Sequence, residues 1–417
     1  MSITPVQAIA EQSRTASRQL ASASETTRNL ALNRMADALE SVKTQVFEVN
    51  ALELIKARED GHSDAMIKRL TIDDKTFQYM LSRLKKVAQG PDPLNRILAG
   101  HTNPAGLQVY KKSVPLGVIG IIYESRPNVT TDAAGVCLKS GNAVILRGGS
   151  EALQTNTVLT AAMIEGAVSA GLPEHAIQMI PTPGHEAVGE LLKMDEYIDV
   201  LIPRGGKGLI KRIAEGTRIP VIKHYDGICH LYIAADAEPE QAIAVAINSK
   251  CQSVQVCNAL ETLLIDQACA AQMLPMLQSA FRAHDIELRG CVATQKLLSG
   301  ILPATEEDWH SEYLAPVLSI RIVNGIDEAI SHINFYGSGH TDAIVTQSLS
   351  KAQQFEQQVD SASVMINAST RLSGGGDYGL GSVVGISTDK LHVRGPVGPN
   401  ELTSYKWVAY GQGHLRQ

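Results

Sequence analysis

The sequence lacks any apolar run approaching the ~20 residues of a membrane span. Residues 1–20 carry Glu11, Arg14 and Arg18 among small polar side chains, without a signal-peptide apolar segment. These absences make a cytoplasmic protein with no membrane partner the expectation. Charge of one sign is not in excess: 37 Lys and Arg stand against 43 Asp and Glu, a net −6, so the basic field of a nucleic-acid binder is missing. The six cysteines (Cys137, Cys229, Cys251, Cys257, Cys269 and Cys291) form no Cys-x-x-Cys pair. That spacing argues against a zinc site, and without a secretion signal it also argues against a disulfide framework. None of the twelve histidines has familiar metal-ligand spacing, so no metal is expected. Walker A and G-x-G-x-x-G motifs are absent. Neither internal repeats nor low-complexity segments occur.

What is present is an ordinary globular composition, 44% hydrophobic and 19% charged over 417 residues. At about 150 residues per domain, that length suggests two or three domains. The first hundred residues read as helical, with Leu32, Met35, Leu39, Val42 and Val46 on one helix face. Gly90-Pro91-Asp92-Pro93 breaks this pattern, and residues 101–113 read as a short hairpin. From Leu116 the pattern changes to apolar strands alternating with helices. Strands are expected near 116–123, 142–146, 176–180, 199–202 and 219–222, with helices near 130–138, 151–170, 185–193 and 207–215. This first set runs to Ile233. A second set begins near Glu238, with a helix at 239–250 and strands at 262–265, 317–322, 343–346 and 364–366. The alternation predicts an α/β protein with two doubly wound parallel sheets. The tail from His392 reads as an added strand.

Four places could carry chemistry. Cys257 lies between a helix and a strand, where a thiol can face a cleft and a helix N-terminus can lower its pKa. A buried small hydrophobe is the other reading. Arg204-Gly205-Gly206-Lys207-Gly208 joins a strand to a helix, so its backbone N–H groups can approach a phosphate, or simply form a tight turn. Arg147-Gly148-Gly149-Ser150 has the same context. Arg147 can pair with a phosphate, and Ser150 can contact a ribose phosphate or cap the following helix. Asn367-Ala368-Ser369-Thr370-Arg371 offers hydroxyls, an amide and a guanidinium suited to a carboxylate-bearing ligand, beside Gly374-Gly375-Gly376. His224, near Cys229-His230, is the most arguable histidine, although a structural role suits it better than a catalytic one.

Several stretches resemble one family closely. They are residues 123–129 (Tyr-Glu-Ser-Arg-Pro-Asn-Val), Gly141-Asn142, residues 255–262 (Gln-Val-Cys-Asn-Ala-Leu-Glu-Thr), Asn367 to Arg371, residues 385–388 and residues 391–396. In this order, over almost the whole chain, they resemble the gamma-glutamyl phosphate reductases (glutamate-5-semialdehyde dehydrogenases) of the aldehyde dehydrogenase superfamily. The resemblance implies NADPH-dependent reduction of L-glutamyl 5-phosphate to L-glutamate 5-semialdehyde with release of phosphate, a step of proline biosynthesis. It implies a cofactor domain (1–100 and 114–233), a catalytic domain (234–375), a return to the cofactor domain (376–391) and an oligomerisation arm (101–113 and 392–417). A homo-oligomer and a possible complex with glutamate kinase follow from the same likeness.

By the resemblance Cys257 is the nucleophile, beside Asn258, and Ser125 falls at the superfamily's oxyanion asparagine. Arg147 matches an adenosine-side lysine. Ser150 falls where a carboxylate would hold the ribose hydroxyls of NAD, and a small neutral residue there favours NADP. Gly205, Gly206 and Lys207 join Arg147 and Ser150 on the cofactor side, and Glu312 resembles the glutamate that holds the nicotinamide ribose. Arg126, Asn128, Asn367, Ser369, Thr370 and Arg371 are the expected substrate contacts. The glutamate base of hydrolytic aldehyde dehydrogenases would fall near His224, within His224-Tyr225-Asp226-Gly227, and is missing. Ser253-Val254-Gln255 departs from the more proline- or glycine-containing approach to the cysteine expected of the family. The alternatives are a hydrolytic NAD(P)-dependent aldehyde dehydrogenase and a non-catalytic partner of glutamate kinase.

Overall fold

The computed structural model describes residues 4–416, the side chain of His185 excepted. Residues 1–3 and 417, parts of the expected 1–100 and 392–417 segments, lie outside the described residues. The chain forms two compact units. One contains Met1–Lys223, Gly379–Gly385 and Val397–Gln417, and the other contains His224–Tyr378 and Ile386–Pro396.

The first unit opens with helices whose starts are written in the sequence. Thr4 accepts the Gln7 N–H at the head of Pro5–Leu20, and Ser24, Ser63 and Asp73 cap three more helices the same way. The face expected from Leu32 to Val46 is divided between two helices, Glu25–Ser41 and Lys43–Glu59. Val42 leaves helical geometry between them, its N–H tightening the last turn onto Leu39 and Glu40. Leu32, Met35, Leu39 and Val46 are nevertheless buried together.

A four-stranded parallel sheet follows, ordered β5-β4-β3-β6. Its strands are β3 (Val118–Tyr123), β4 (Ala143–Arg147), β5 (Ile177–Met179) and β6 (Val200–Arg204). Every residue of β3 and β4 is buried, which is why both read as unbroken apolar runs rather than as alternation. Residues 219–222 are not the strand that was expected: they contribute an isolated bridge, Leu201 to Val221. A separate antiparallel sheet joins β1 (Ile97–Thr102), β2 (Gln108–Pro115) and β16 (Thr403–Tyr410). The expected hairpin and tail strand therefore pair with each other.

The second unit holds a seven-stranded sheet ordered β10-β9-β11-β8-β7-β12-β13, parallel throughout. These are β7 (Cys229–Ile233), β8 (Leu260–Asp266), β9 (Glu287–Gly290), β10 (Leu302–Pro303), β11 (Val317–Val323), β12 (Thr341–Val345) and β13 (Ser363–Ile366). The run ending at Ile233, expected to close the first sheet, is instead a central strand of the second. One face packs on helices Pro239–Cys251 and Gln267–Arg282 and the other on Ile326–Tyr336 and Leu349–Gln358, each through its own apolar cluster. The chain also forms a two-stranded ribbon, β14 (Gly385–Ser387) with β15 (Gly395–Val397). Among the described residues no helix is long and apolar enough to cross a membrane.

Candidate active site

In the second unit the candidate residues lie in the loop that enters β8, at the N-terminal end of the parallel sheet, and in the loop that leaves β13 at its C-terminal end. Cys257 is partly buried in the irregular segment 252–259 between the helix Pro239–Cys251 and β8. Its backbone is held closely. The Cys229 thiol donates to the Cys257 carbonyl at 3.3 Å. A methyl group on Gly227 would lie 1.8 Å from that carbonyl oxygen, so only glycine fits there. Asn258 is buried, its Nδ2 donating to the Arg371 carbonyl (3.2 Å) and the Ser373 hydroxyl (3.3 Å). Its Oδ1 accepts from the Arg371 guanidinium, whose Nε donates to Gln252 at 2.9 Å. Thus the cysteine loop and the loop after β13 are clamped together through Asn258 and Arg371.

The other expected anchor residues are used differently. Asn367, in the left-handed region at φ 54°, exchanges two hydrogen bonds of 2.9 Å with the Thr346 backbone. Its amide therefore shapes the turn. Ser369 is buried and caps Arg371, and it meets Ser249 at 3.2 Å. Thr370 is fully buried, and its hydroxyl lacks a hydrogen-bond partner. Arg371 is half-buried. Desolvation pulls its pKa below the ordinary value, opposed by charge at Cys257, Asp377 and Cys229.

Two imidazoles complete the surroundings. One ring nitrogen each from His224 and His340 and the Cys257 sulfur lie within 4.8 Å of one another. No carboxylate joins that cluster among the described residues. His224 Nδ1 faces the Ile386 carbonyl at 2.9 Å, so it carries the proton and leaves Nε2 with the lone pair. His340 is fully buried, and burial lowers its pKa to about 4. Glu312 is half-buried, and its charge acts on His340, Cys229 and Glu261.

A buried ion pair supports the N-terminal end of β8. The register of β7 on β8 skips Glu261, because Cys229 faces Leu260 and His230 faces Thr262. Glu261 meets Lys250 Nζ at 2.6 Å and accepts the Leu314 N–H at 3.2 Å, which fixes the segment carrying Glu312. Desolvation pushes the Glu261 carboxyl up to about 7, against the pull of Lys250.

The first unit carries the remaining expected residues at the C-terminal ends of β3, β4 and β6, where ligands bind in open parallel sheets. Ser125, at φ 50°, gives both its N–H (2.6 Å) and its hydroxyl (3.1 Å) to Glu151 Oε1. Its donors are thus committed to a carboxylate. Arg126 next to it is exposed, and Asn128 opens the helix Asn128–Lys139 and reaches Asp132 at 3.4 Å. Arg147 is buried, donating from one terminal nitrogen to the Pro183 (2.8 Å) and Gly184 (3.2 Å) carbonyls while its Nε lacks a partner. Desolvation lowers its pKa, opposed by Glu151 and Glu124. Ser150 is exposed and starts a 3-10 turn, Ser150–Ala152, without a side-chain cap bond, so the capping reading fails. Gly205 and Gly206 precede the helix Lys207–Gly216. The Gly206 N–H donates to the Glu124 carboxylate at 3.2 Å, which shows that this turn accepts an anion. Lys207 is the first residue of that helix.

Gly227, Cys229, Lys250, Glu261, His340, Glu124 and Glu151 were not singled out from sequence. Only Glu124 and Glu151 carried a signal, as carboxylates just past strand ends. The others depend on which strands become neighbours.

The aldehyde dehydrogenase family model matches residues 2–295 and 297–379. The chain belongs to the aldehyde dehydrogenase family. Gamma-glutamyl phosphate reductase from Thermotoga maritima is 37% identical, with 99% of this chain and 100% of that one covered and a TM-score of 0.97. The enzyme of the same name from Saccharomyces cerevisiae is 30% identical over 100% of both chains, with a TM-score of 0.56. An acetylating aldehyde dehydrogenase from Geobacillus thermoglucosidasius, 18% identical over 100% of this chain and 98% of that one, shares the fold at a TM-score of 0.70. The chain is therefore an oxidoreductase of this family with an α/β fold of parallel sheets.

Proposed function

We propose that the protein reduces L-glutamyl 5-phosphate to L-glutamate 5-semialdehyde with release of phosphate, the reductive step of proline biosynthesis that follows activation of glutamate. The observation that carries this reading is the Cys257 loop clamped through Asn258 onto Arg371, in a chain 37% identical over its length to a gamma-glutamyl phosphate reductase.

Cys257 attacks the acyl carbon, the C–S bond forms, and the C–O bond to phosphate breaks. A dihydronicotinamide cofactor, when bound, supplies the hydride that reduces the thioester. The resulting oxyanion expels the Cys257 thiolate and leaves the aldehyde. Water is not needed to release the product. Arg371 is the presented cation of the anchor loop and pairs with the substrate carboxylate. Asn258 and Ser369 hold that loop in place.

The residues of the first unit suit a dinucleotide. The Gly206 N–H already receives a carboxylate, and the buried Arg147 retains an orphan Nε–H. Gly205, Gly206, Lys207 and Arg147 would hold the phosphates and the adenosine side, and Glu312 the nicotinamide ribose. We assign NADP rather than NAD because neutral Ser150 spares a 2′-phosphate the repulsion of a carboxylate. Glu151 is engaged by Ser125. A homo-oligomer is proposed through the sheet β1-β2-β16, which leaves Ile97, Leu98, Tyr405, Trp407 and Tyr410 exposed. A cytoplasmic location and contact with glutamate kinase belong to the same reading.

Acyl-enzyme trapping tests the mechanism. Incubation with L-glutamyl 5-phosphate and no reductant should add one glutamyl group at Cys257, seen by mass spectrometry of the intact protein and its peptides. Addition at another residue, or none while turnover proceeds, would contradict it.

A further inference from the structure

We propose that Cys257, His224 and His340 form a binding site for a borderline-soft divalent cation, exemplified by Zn²⁺, whose occupancy reversibly blocks the Cys257 thiolate. The three donors come from separate places in the second unit: the segment preceding β7, the irregular loop before β8, and the residue before β12. Their donor atoms lie within 4.8 Å of one another. In a tetrahedral zinc site, metal–ligand lengths of about 2.0–2.3 Å separate the donors by about 3.5 Å. Side-chain rotation of the two partly buried members supplies that contraction.

The hydrogen-bond network leaves a lone pair on each imidazole. Ser373 donates to the Thr370 carbonyl, so it accepts from Thr341 (2.9 Å). Thr341 then accepts from His340 Nδ1 (2.9 Å). His340 Nε2 therefore carries no proton. It is buried without a hydrogen-bond partner, which for a fully buried nitrogen is costly unless a ligand takes its lone pair. His224 reaches the same tautomer by donating Nδ1–H to the Ile386 carbonyl. Such outer bonds fix ligating imidazoles and raise their basicity. Glu312 adds negative charge nearby. Cys229 is not a fourth ligand: its proton is engaged by the Cys257 carbonyl, and burial raises its pKa well above the ordinary value. Water takes the fourth position. Binding is metal for proton: the Zn–S bond forms as the Cys257 thiol releases H⁺ to solvent, with no electron transferred.

The full-length protein, stripped with chelator and kept reduced by a phosphine, would be titrated with Co²⁺. One Co²⁺ per chain should bind, with a thiolate-to-cobalt charge-transfer band and tetrahedral visible bands, both displaced by Zn²⁺. The charge-transfer band should vanish in C257S. H224N and H340N should each weaken binding by at least about tenfold, since even partners of metal ligands are worth that much. Zn²⁺ should slow iodoacetamide labelling of Cys257, and chelator should restore it. Circular dichroism checks that each variant folds, and H224N alone decides if buried H340N does not. No charge-transfer band, a band surviving in C257S, or unchanged affinity in folded H224N would overturn the site. None of these readouts needs turnover, so they remain decisive if the proposed reaction is wrong.

Discussion

Gly227 shapes the Cys257 loop without having a side chain. Any Cβ there would collide with the carbonyl of Cys257 at 1.8 Å. G227A should therefore cut activity by at least about a hundredfold and lower the melting temperature, because the nucleophile loop must shift. A folded G227A of normal activity would show that the loop position is not critical. C257S should lose activity by about a thousandfold or more while keeping its melting temperature, since the partly buried thiol contributes reactivity rather than packing. R371K should raise KM for the acyl phosphate more than it lowers kcat, because a point charge cannot reproduce a planar fork. Steady-state kinetics separates these outcomes. Cys257 and Arg371 stood out in the sequence as candidates, a thiol and a guanidinium in loops flanking apolar strands, whereas Asn258 entered only through the family resemblance. Asn367 read as a ligand contact because its amide suits a carboxylate-bearing ligand, and Ser125 as the oxyanion position because of the family resemblance. The structure engages the first with Thr346 and the second with Glu151. A sequence shows which donors exist, and not which neighbours occupy them.

The alternation of apolar strands and helices was readable because buried parallel strands are apolar on both faces. The sheet assignment of residues 229–233 was not readable, since β7 is as apolar as its neighbours and periodicity carries no pairing information. The skipped register at Glu261 was equally silent, although it places a carboxylate beside Lys250 inside the protein. E261Q leaves that ammonium buried without its counter-charge, and should cost about 3–5 kcal/mol. K250M/E261L, which removes both charges, should recover most of that loss. Calorimetry of the three proteins tests this, and a double variant as unstable as the single one would contradict it. Gly189 lies inside the helix His185–Leu191 with nothing within 4 Å of an added Cβ. G189A should stabilise by about 0.5–1 kcal/mol through helix propensity alone.

For the molecule as a whole, acid sensitivity has an identifiable source in the second unit. His332 is buried among the rings of His230, Trp309 and Tyr336, and neither of its ring nitrogens has a hydrogen-bond partner. Desolvation, with smaller electrostatic contributions from His230, Arg321 and His310, lowers its pKa to about 2. The unfolded chain takes up this proton near pH 6.5 and the folded one does not. Stability is therefore present above pH 6.5 and is lost as pH falls towards 2. Between pH 6.5 and 5 the loss from this residue is about 2 kcal/mol. H332F, similar in volume and without a titrating group, should show a shallower decline in melting temperature over that window, and an unchanged slope would contradict the assignment.

In the proposed reaction Cys257 takes the acyl group from phosphate and holds it as a thioester that hydride, and not water, releases. The most direct test runs the reaction backwards. Glutamate semialdehyde and NADP would be mixed with the protein, with and without inorganic phosphate, and NADPH absorbance followed. The expected result is NADPH formation that depends on phosphate and disappears in C257S. Oxidation at the same rate without phosphate would contradict the claim, because the acyl group would then be passing to water.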